Sequence, residues 1–347
     1  MATVEHFGRV EDQDVMAVTL GGDGGPLATV VTYGARLAKL CVPDRTGRVA
    51  DIVLGHDSAE GYAASKTYLG ATCGRYANRI AGGRFSLPDH EVQLDRNEGT
   101  KHLHGGKHGF DRKHWQIDHA TDRAVTLTAC AEDGEMGYPG RLTMSVRYEL
   151  DADNRLWIAM EADTTAPTVV NMVNHSYFNM AGHQAGSVMQ HHLRVGASHY
   201  TPVDPDLIPT GEILKVAGTP FDFTTLRAIA AALPGDMGFD HNLCLSGPLH
   251  RKWGEDLRFC AEAVDPASGR RMEVWTTEPG VQLYTGGYLR AGTAGKDGHA
   301  IGAFGGFTLE TQTFPDSPNR PHFPSSRLDP GRHYRHLMAF DFTPQPA

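Results

Sequence analysis

No stretch of the 347-residue chain comes near the ~18–20 consecutive apolar residues of a membrane-crossing helix, so the sequence offers no candidate span. Cysteine is scarce. The five residues Cys41, Cys73, Cys130, Cys244 and Cys260 are odd in number, scattered, and free of any CxxC spacing. That pattern argues against both a disulfide framework and a zinc knuckle, and reads as reduced thiols of a cytoplasmic protein. The opening "MATVEHFGRVEDQD" has neither the basic segment nor the apolar core of a secretory signal. Basic charge is also short, with 32 Lys and Arg against 41 Asp and Glu and a net charge of −9. A nucleic-acid or anionic-membrane partner, either of which calls for a basic face, is therefore not expected. No GxSxG elbow or phosphate-cradling loop occurs.

Helical periodicity is equally sparse. Its best example is "TTLRAIAAALPG", Thr224–Gly235, with Thr224 or Thr225 as cap and Pro234–Gly235 as stop. Period-two alternation is abundant instead. In "RLTMSVRYEL", Leu142, Met144, Val146, Tyr148 and Leu150 fall on one face, and Arg141, Thr143, Ser145, Arg147 and Glu149 on the other. Further β-rich runs are "VMAVTL", "LATVVTYG", "AVTLTACAE", "RLWIAMEAD", "LRFCAEAV", "RMEVWTT" and "VQLYTGGYL", separated by turn sequences such as "GGDGGP", "DADN" and "DPASG". With no βαβ alternation, repeat or linker, the expectation is an all-β protein: one large antiparallel β-sandwich over residues 1–347, with few short helices.

Against this background, five stretches concentrate polar side chains beyond what a strand needs: "GRYANRI", "HLHGGKHGFDRKHW", "NHSYFN", "GFDHN" and "GFTLETQTFPDSPN". "VQLYTGG", with Gln282 and Tyr284, is a weaker sixth. His102 and His104 would share a strand face, but the further ligands of a metal site do not accompany them at a known spacing. His102, His108 and His114 read as exposed turn residues, whereas His104 precedes Gly105–Gly106, which allow close approach. Glu310 closes an apolar strand, where a carboxylate is costly to bury unpaired. One Arg, a few His, two carboxylates and several amides, without a metal or phosphate signature, suit a neutral polyhydroxylated ligand, that is, a sugar.

At these residues the sequence closely resembles the aldose 1-epimerases, also called galactose mutarotases. "YGARLAKLCVPDRTGRVADIVLGHDSAEGY", "TCGRYANRI", "HLHGG", "NHSYFNMAG", "YTPVDPDLIPTGEI", "GTPFDF", "GFDHN" and "LETQTFPDSPN" follow in the family's order over nearly the whole chain. The resemblance implies a galactose-mutarotase-like supersandwich with an open cleft and no cofactor, acting on free aldoses such as D-galactose and D-glucose as a monomer or homodimer. Carried over motif by motif, Glu310 is the catalytic base, His175 the catalytic acid, and His104 an assistant on the ring-oxygen side. Arg79 and Asp240 bind sugar hydroxyls, with Asn78 and Gln282 as further contacts. Asn174 and Asn179 are expected to line the cleft beside His175.

The chemistry needs such groups. Opening a pyranose requires a base at the C1 hydroxyl and an acid at the ring oxygen. A carboxylate with an ordinary pKa of ~4.3 and an imidazole near ~6.5 are expected to enter as anion and partial cation. The rival readings are a glycoside hydrolase using Glu310 and Asp240, a hexose-6-phosphate epimerase, and a non-catalytic sugar-binding module.

Overall fold

The computed structural model describes residues 2–344 apart from 23, 24, 232 and 291. Three antiparallel sheets carry the architecture. The first is a sequential five-stranded meander of Thr3–Val10, Gln13–Gly21, Leu27–Val31, Arg36–Pro43 and Val49–Asp51. The second has ten strands. Its central run is Ala124–Ala131, Leu142–Leu150, Leu156–Thr164, Tyr334–Asp341, Arg271–Thr276 and Glu255–Val264, so the C-terminal strand sits in the middle of the sheet. The third orders Leu214–Lys215, Ala197–Tyr200, Asp240–Leu245, Gly280–Tyr284 and Thr308–Gln312.

Alternation drives the packing. Leu142, Met144, Val146, Tyr148 and Leu150 are all buried, as their spacing predicts. They meet Leu20, Val30 and Leu37 of the first sheet and Val281, Leu283 and Leu309 of the third in one hydrophobic core. The "DADN" turn is closed by the Asp151 carboxylate, which accepts the backbone N–H groups of Asp153 and Arg155, both at 2.9 Å. The turn expected at "GGDGGP" lies partly outside the described residues.

The helix expected over Thr224–Gly235 does not form. Arg227–Ala228 pairs with His192–Leu193, and Ile229–Ala231 makes a single 3₁₀ turn; Ala232 lies outside the described residues. Ile229 is fully buried, and the amides of Ile229 and Ala230 donate to His191 and Met189 (2.9 and 3.0 Å) rather than along a helix. Tertiary pairing overrides local propensity here. Among the described residues the α-helix is Ala59–Ala64, capped by the Ser58 hydroxyl, which accepts from Gly61 N–H at 3.1 Å. No helix there is long and apolar enough to cross a membrane.

Candidate active site

The third sheet builds the floor of the site by register. Asn242 lies opposite Gln282, Gln282 opposite Glu310, and Asp240 opposite Tyr284. Period two then places Asp240, Asn242, Gln282, Thr308, Glu310 and Gln312 on one face, while Leu243, Val281, Leu283 and Leu309 turn into the core. The amides lock this face. Gln282 Nε2 donates to Asp240 Oδ1 at 2.6 Å, and Gln312 Nε2 donates to Gln282 Oε1 at 3.3 Å and to Asn242 Oδ1 at 3.2 Å. Asn78 Nδ2 reaches Gln312 Oε1 at 3.5 Å.

His175 reaches the same place from another direction. It ends the strand Val173–His175, opposite Ala71 of Ala71–Cys73, and its carbonyl accepts Gly70 N–H at 3.0 Å. His104 follows the short pair of His102–Leu103 with Arg79–Ile80, and takes a left-handed φ of 49°. The next residue must be glycine, because a Cβ on Gly105 would sit 1.7 Å from the Gly74 carbonyl.

The three catalytic candidates thus converge. His175 Nε2 stands 3.5 Å from Glu310 Oε1, and the His104 and His175 rings are 5.1 Å apart at 74°. Glu310, His175 and His104 are only 2%, 4% and 6% exposed. Glu310 Oε1 accepts from Thr308 Oγ1 at 3.0 Å, whereas Glu310 Oε2 and His175 Nδ1 are buried with no hydrogen-bond partner among the described residues. Orphaned buried polar atoms are costly, and their presence on two facing acid–base groups points to chemistry there. Arg79 grips Glu98 in a fork (2.8 and 3.1 Å) and stands 3.6 Å from Asp240, so its guanidinium is held over the floor. Beside Asp240 opens a cavity of about 480 Å³, also lined by Leu207, Phe221, Met237 and Tyr288. Another cavity, of about 910 Å³ and lined by Asp51, His183, Arg270 and Lys296, holds none of the catalytic candidates.

Burial reverses the protonation states expected from ordinary values. It pushes the Glu310 carboxyl up to about 8, against the bond from Thr308 and with the help of the Asp240 charge. It pushes the His175 imidazole down to about 4. At neutral pH the resting pair therefore holds one proton, on Glu310, facing a neutral imidazole. Burial, followed by the neighbouring His175 and Arg79, holds His104 well below its usual range. Its Nδ1 accepts the backbone N–H of Asn78 at 3.2 Å, so the neutral ring carries its proton on Nε2 and is a donor. One ligand atom each from His104, His175 and Glu310 lies within 4.8 Å of the others. This trio could hold a divalent cation only if His104 gave up that Nε2 proton, which the Asn78 bond opposes.

The candidates assigned catalytic or sugar-binding roles from the sequence, namely Glu310, His175, His104, Arg79, Asp240, Asn78 and Gln282, belong to this cluster. Asn174 and Asn179 do not line it. Asn174 Nδ2 serves the Tyr148 hydroxyl (3.1 Å) and Gly70 carbonyl, and Asn179 Nδ2 serves the carbonyls of Gly186 (2.8 Å) and Gly305 (3.0 Å). Both satisfy buried backbone or hydroxyl groups. His102 is likewise buried, not exposed, and bonds the Tyr138 hydroxyl and Asp95 carbonyl, both at 2.6 Å. Sequence reasoning missed Glu98, Thr308 and Gln312. The last two were readable from their even spacing with Glu310, whereas nothing local marks Glu98.

The sequence model of the family described as aldose 1-epimerase matches residues 16–341. The galactose mutarotase of Bos taurus is 42% identical over 316 residues, covering 90% of each chain. The aldose 1-epimerase of Escherichia coli (strain K12) is 36% identical over 340 residues, covering 96% of each. Among solved structures, galactose 1-epimerase from Lactobacillus acidophilus NCFM superposes with a TM-score of 0.85 at 29% identity, covering 99% of each chain.

Proposed function

Because the chain belongs to the aldose 1-epimerase family and is an isomerase interconverting α and β anomers of free aldoses, we propose that Glu310 and His175 are its exchanging acid–base pair. One proton shift across the 3.5 Å gap converts the resting pair into a Glu310 carboxylate facing a His175 imidazolium. The carboxylate then takes the proton of the C1 hydroxyl. O1 becomes a carbonyl oxygen, the C1–O5 bonding electrons pass to O5, and O5 takes the proton of the imidazolium. Glu310 and His175 are now back in their resting forms, opposite an open-chain aldehyde. Rotation about C1–C2 presents the other face, and the same two transfers run backwards to close the ring. No proton need come from solvent. The pair titrates as a unit, so these forms belong to both residues together.

His104, held as an Nε2–H donor by Asn78, supports charge on the ring-oxygen side. Arg79 and Asp240 orient the sugar hydroxyls, with Gln282 fixing Asp240 from below. A placed acid and a placed base contribute ~10²–10⁴-fold each, and orientation adds to that. The observation carrying the reading is the buried contact of His175 Nε2 with Glu310 Oε1, with the outer atoms of both groups unpartnered among the described residues.

For substrate, the names of the mammalian relatives favour D-galactose, with D-glucose as the next aldose of the same size. The five free cysteines favour a reducing, cytoplasmic setting. Polarimetry on freshly dissolved α-D-galactose, α-D-glucose, xylose and arabinose tests the proposal. Accelerated mutarotation is expected, fastest on galactose. Release of aglycone from an aryl galactoside without accelerated mutarotation would replace it with hydrolysis.

A further inference from the structure

The His175 imidazole packs against two tyrosine rings. The Tyr177 ring is tilted against it, with centroids 5.0 Å apart and planes 35° apart, and Tyr68 stands at 5.7 Å and 31°. Tyr68 also packs on His104 at 4.6 Å, so it bridges both imidazoles of the site. Both separations to His175 fall within the ~6 Å over which a ring face attracts a cation.

The backbone is bent to make this arrangement. Tyr68 adopts a left-handed φ of 56°, a strained choice for a bulky side chain. Its carbonyl accepts Ala71 N–H at 3.0 Å, while the intervening Gly70 N–H bonds the His175 carbonyl at 3.0 Å. One turn thus bonds the backbone of His175 and sets an aromatic ring against its side chain. Tyr177 is braced from behind by Tyr284, edge to face at 5.9 Å and 77°, and its carbonyl accepts Leu54 N–H at 2.9 Å.

We infer that Tyr68 and Tyr177 are positioning residues that pack on the His175 ring and stabilise the imidazolium formed during turnover. The inference rests on the reading of His175 as the catalytic acid. The electron-rich rings supply the effect, and they act on a charge that exists only during the cycle. The consequence is a contribution to kcat with little to KM.

The test replaces Tyr68 by phenylalanine and then by fluorinated phenylalanines up to the pentafluoro ring, which keeps ring size while removing the negative face. Measured by polarimetry on α-D-galactose, kcat is expected to fall progressively, by about 2-fold to 30-fold from Phe to pentafluoro-Phe, with KM steady. In a His175→Ala background, fluorination should change nothing further. A flat kcat across the series, with His175→Ala inactive, overturns this role and leaves His175 as the acid. Parent-like activity in His175→Ala overturns the reading beneath it. Tyr68→Leu adds a second arm that does not depend on fluorination, with the same loss in kcat expected.

Discussion

Replacing Glu310 by glutamine keeps the shape of the side chain and removes its ability to ionise, which should move activity and high-pH stability in opposite directions. The carboxyl is raised from an ordinary 4.5 to about 8 by burial. In the unfolded chain it ionises near its ordinary value, whereas in the fold it stays protonated up to about 8. Between these values the unfolded state binds fewer protons, so the parent loses stability as pH rises, and the loss levels off above about 8. A shift of this size corresponds to about 5 kcal/mol, since each pKa unit is worth about 1.4 kcal/mol. Glutamine does not titrate. An unsatisfied amide N–H on the substituted side chain costs about 1–3 kcal/mol, but equally at every pH. The stability difference between Glu310→Gln and parent, from urea unfolding at pH 4 and pH 8.5, should therefore swing by about 5 kcal/mol in favour of the variant. Polarimetry should show a loss of ~10²–10⁴-fold in kcat. If the swing stays below about 1 kcal/mol, the carboxyl is not held protonated by burial, and the resting state described above is wrong.

Other tests follow from the same geometry. The pair holds its single working proton between its values of about 4 and about 8, so kcat/KM should be level across that window and fall on both sides. His175→Asn should lose ~10²-fold or more in kcat. Because the folded imidazole is depressed from 6.5 to about 4, the parent's stability should decline as pH falls through this interval, by about 3 kcal/mol, and the variant should lack this term. Glu98→Gln loosens the fork on Arg79; with Glu98 one-third exposed (34%), KM should rise by no more than about 5-fold with kcat nearly unchanged.

The strands were legible because their burial follows period two, as the pattern of Leu142–Leu150 shows. The residues that converge, Glu310, His175 and His104, were legible through motifs whose order matches a family, although single motifs such as "HLHGG" say little. What escaped reading depends on partners distant in sequence. Thr224–Gly235 has a helix-like pattern, yet its amides are taken by Met189 and His191. Asn174 and Asn179 look like ligand-binding amides until the carbonyls they satisfy are seen. Glu98 stands in a turn with nothing local to announce its bond to Arg79. Protonation was the least accessible property, because Glu310 and His175 owe their shifts to burial by residues that only the fold assembles.

A crystal structure with D-galactose bound tests the acid–base pair most directly. The expected result is O1 within about 2.6–3.2 Å of a Glu310 carboxylate oxygen and O5 equally close to a His175 ring nitrogen, with Arg79 and Asp240 on the remaining hydroxyls. A hexose bound with O1 and O5 both beyond reach of Glu310 and His175 would contradict it.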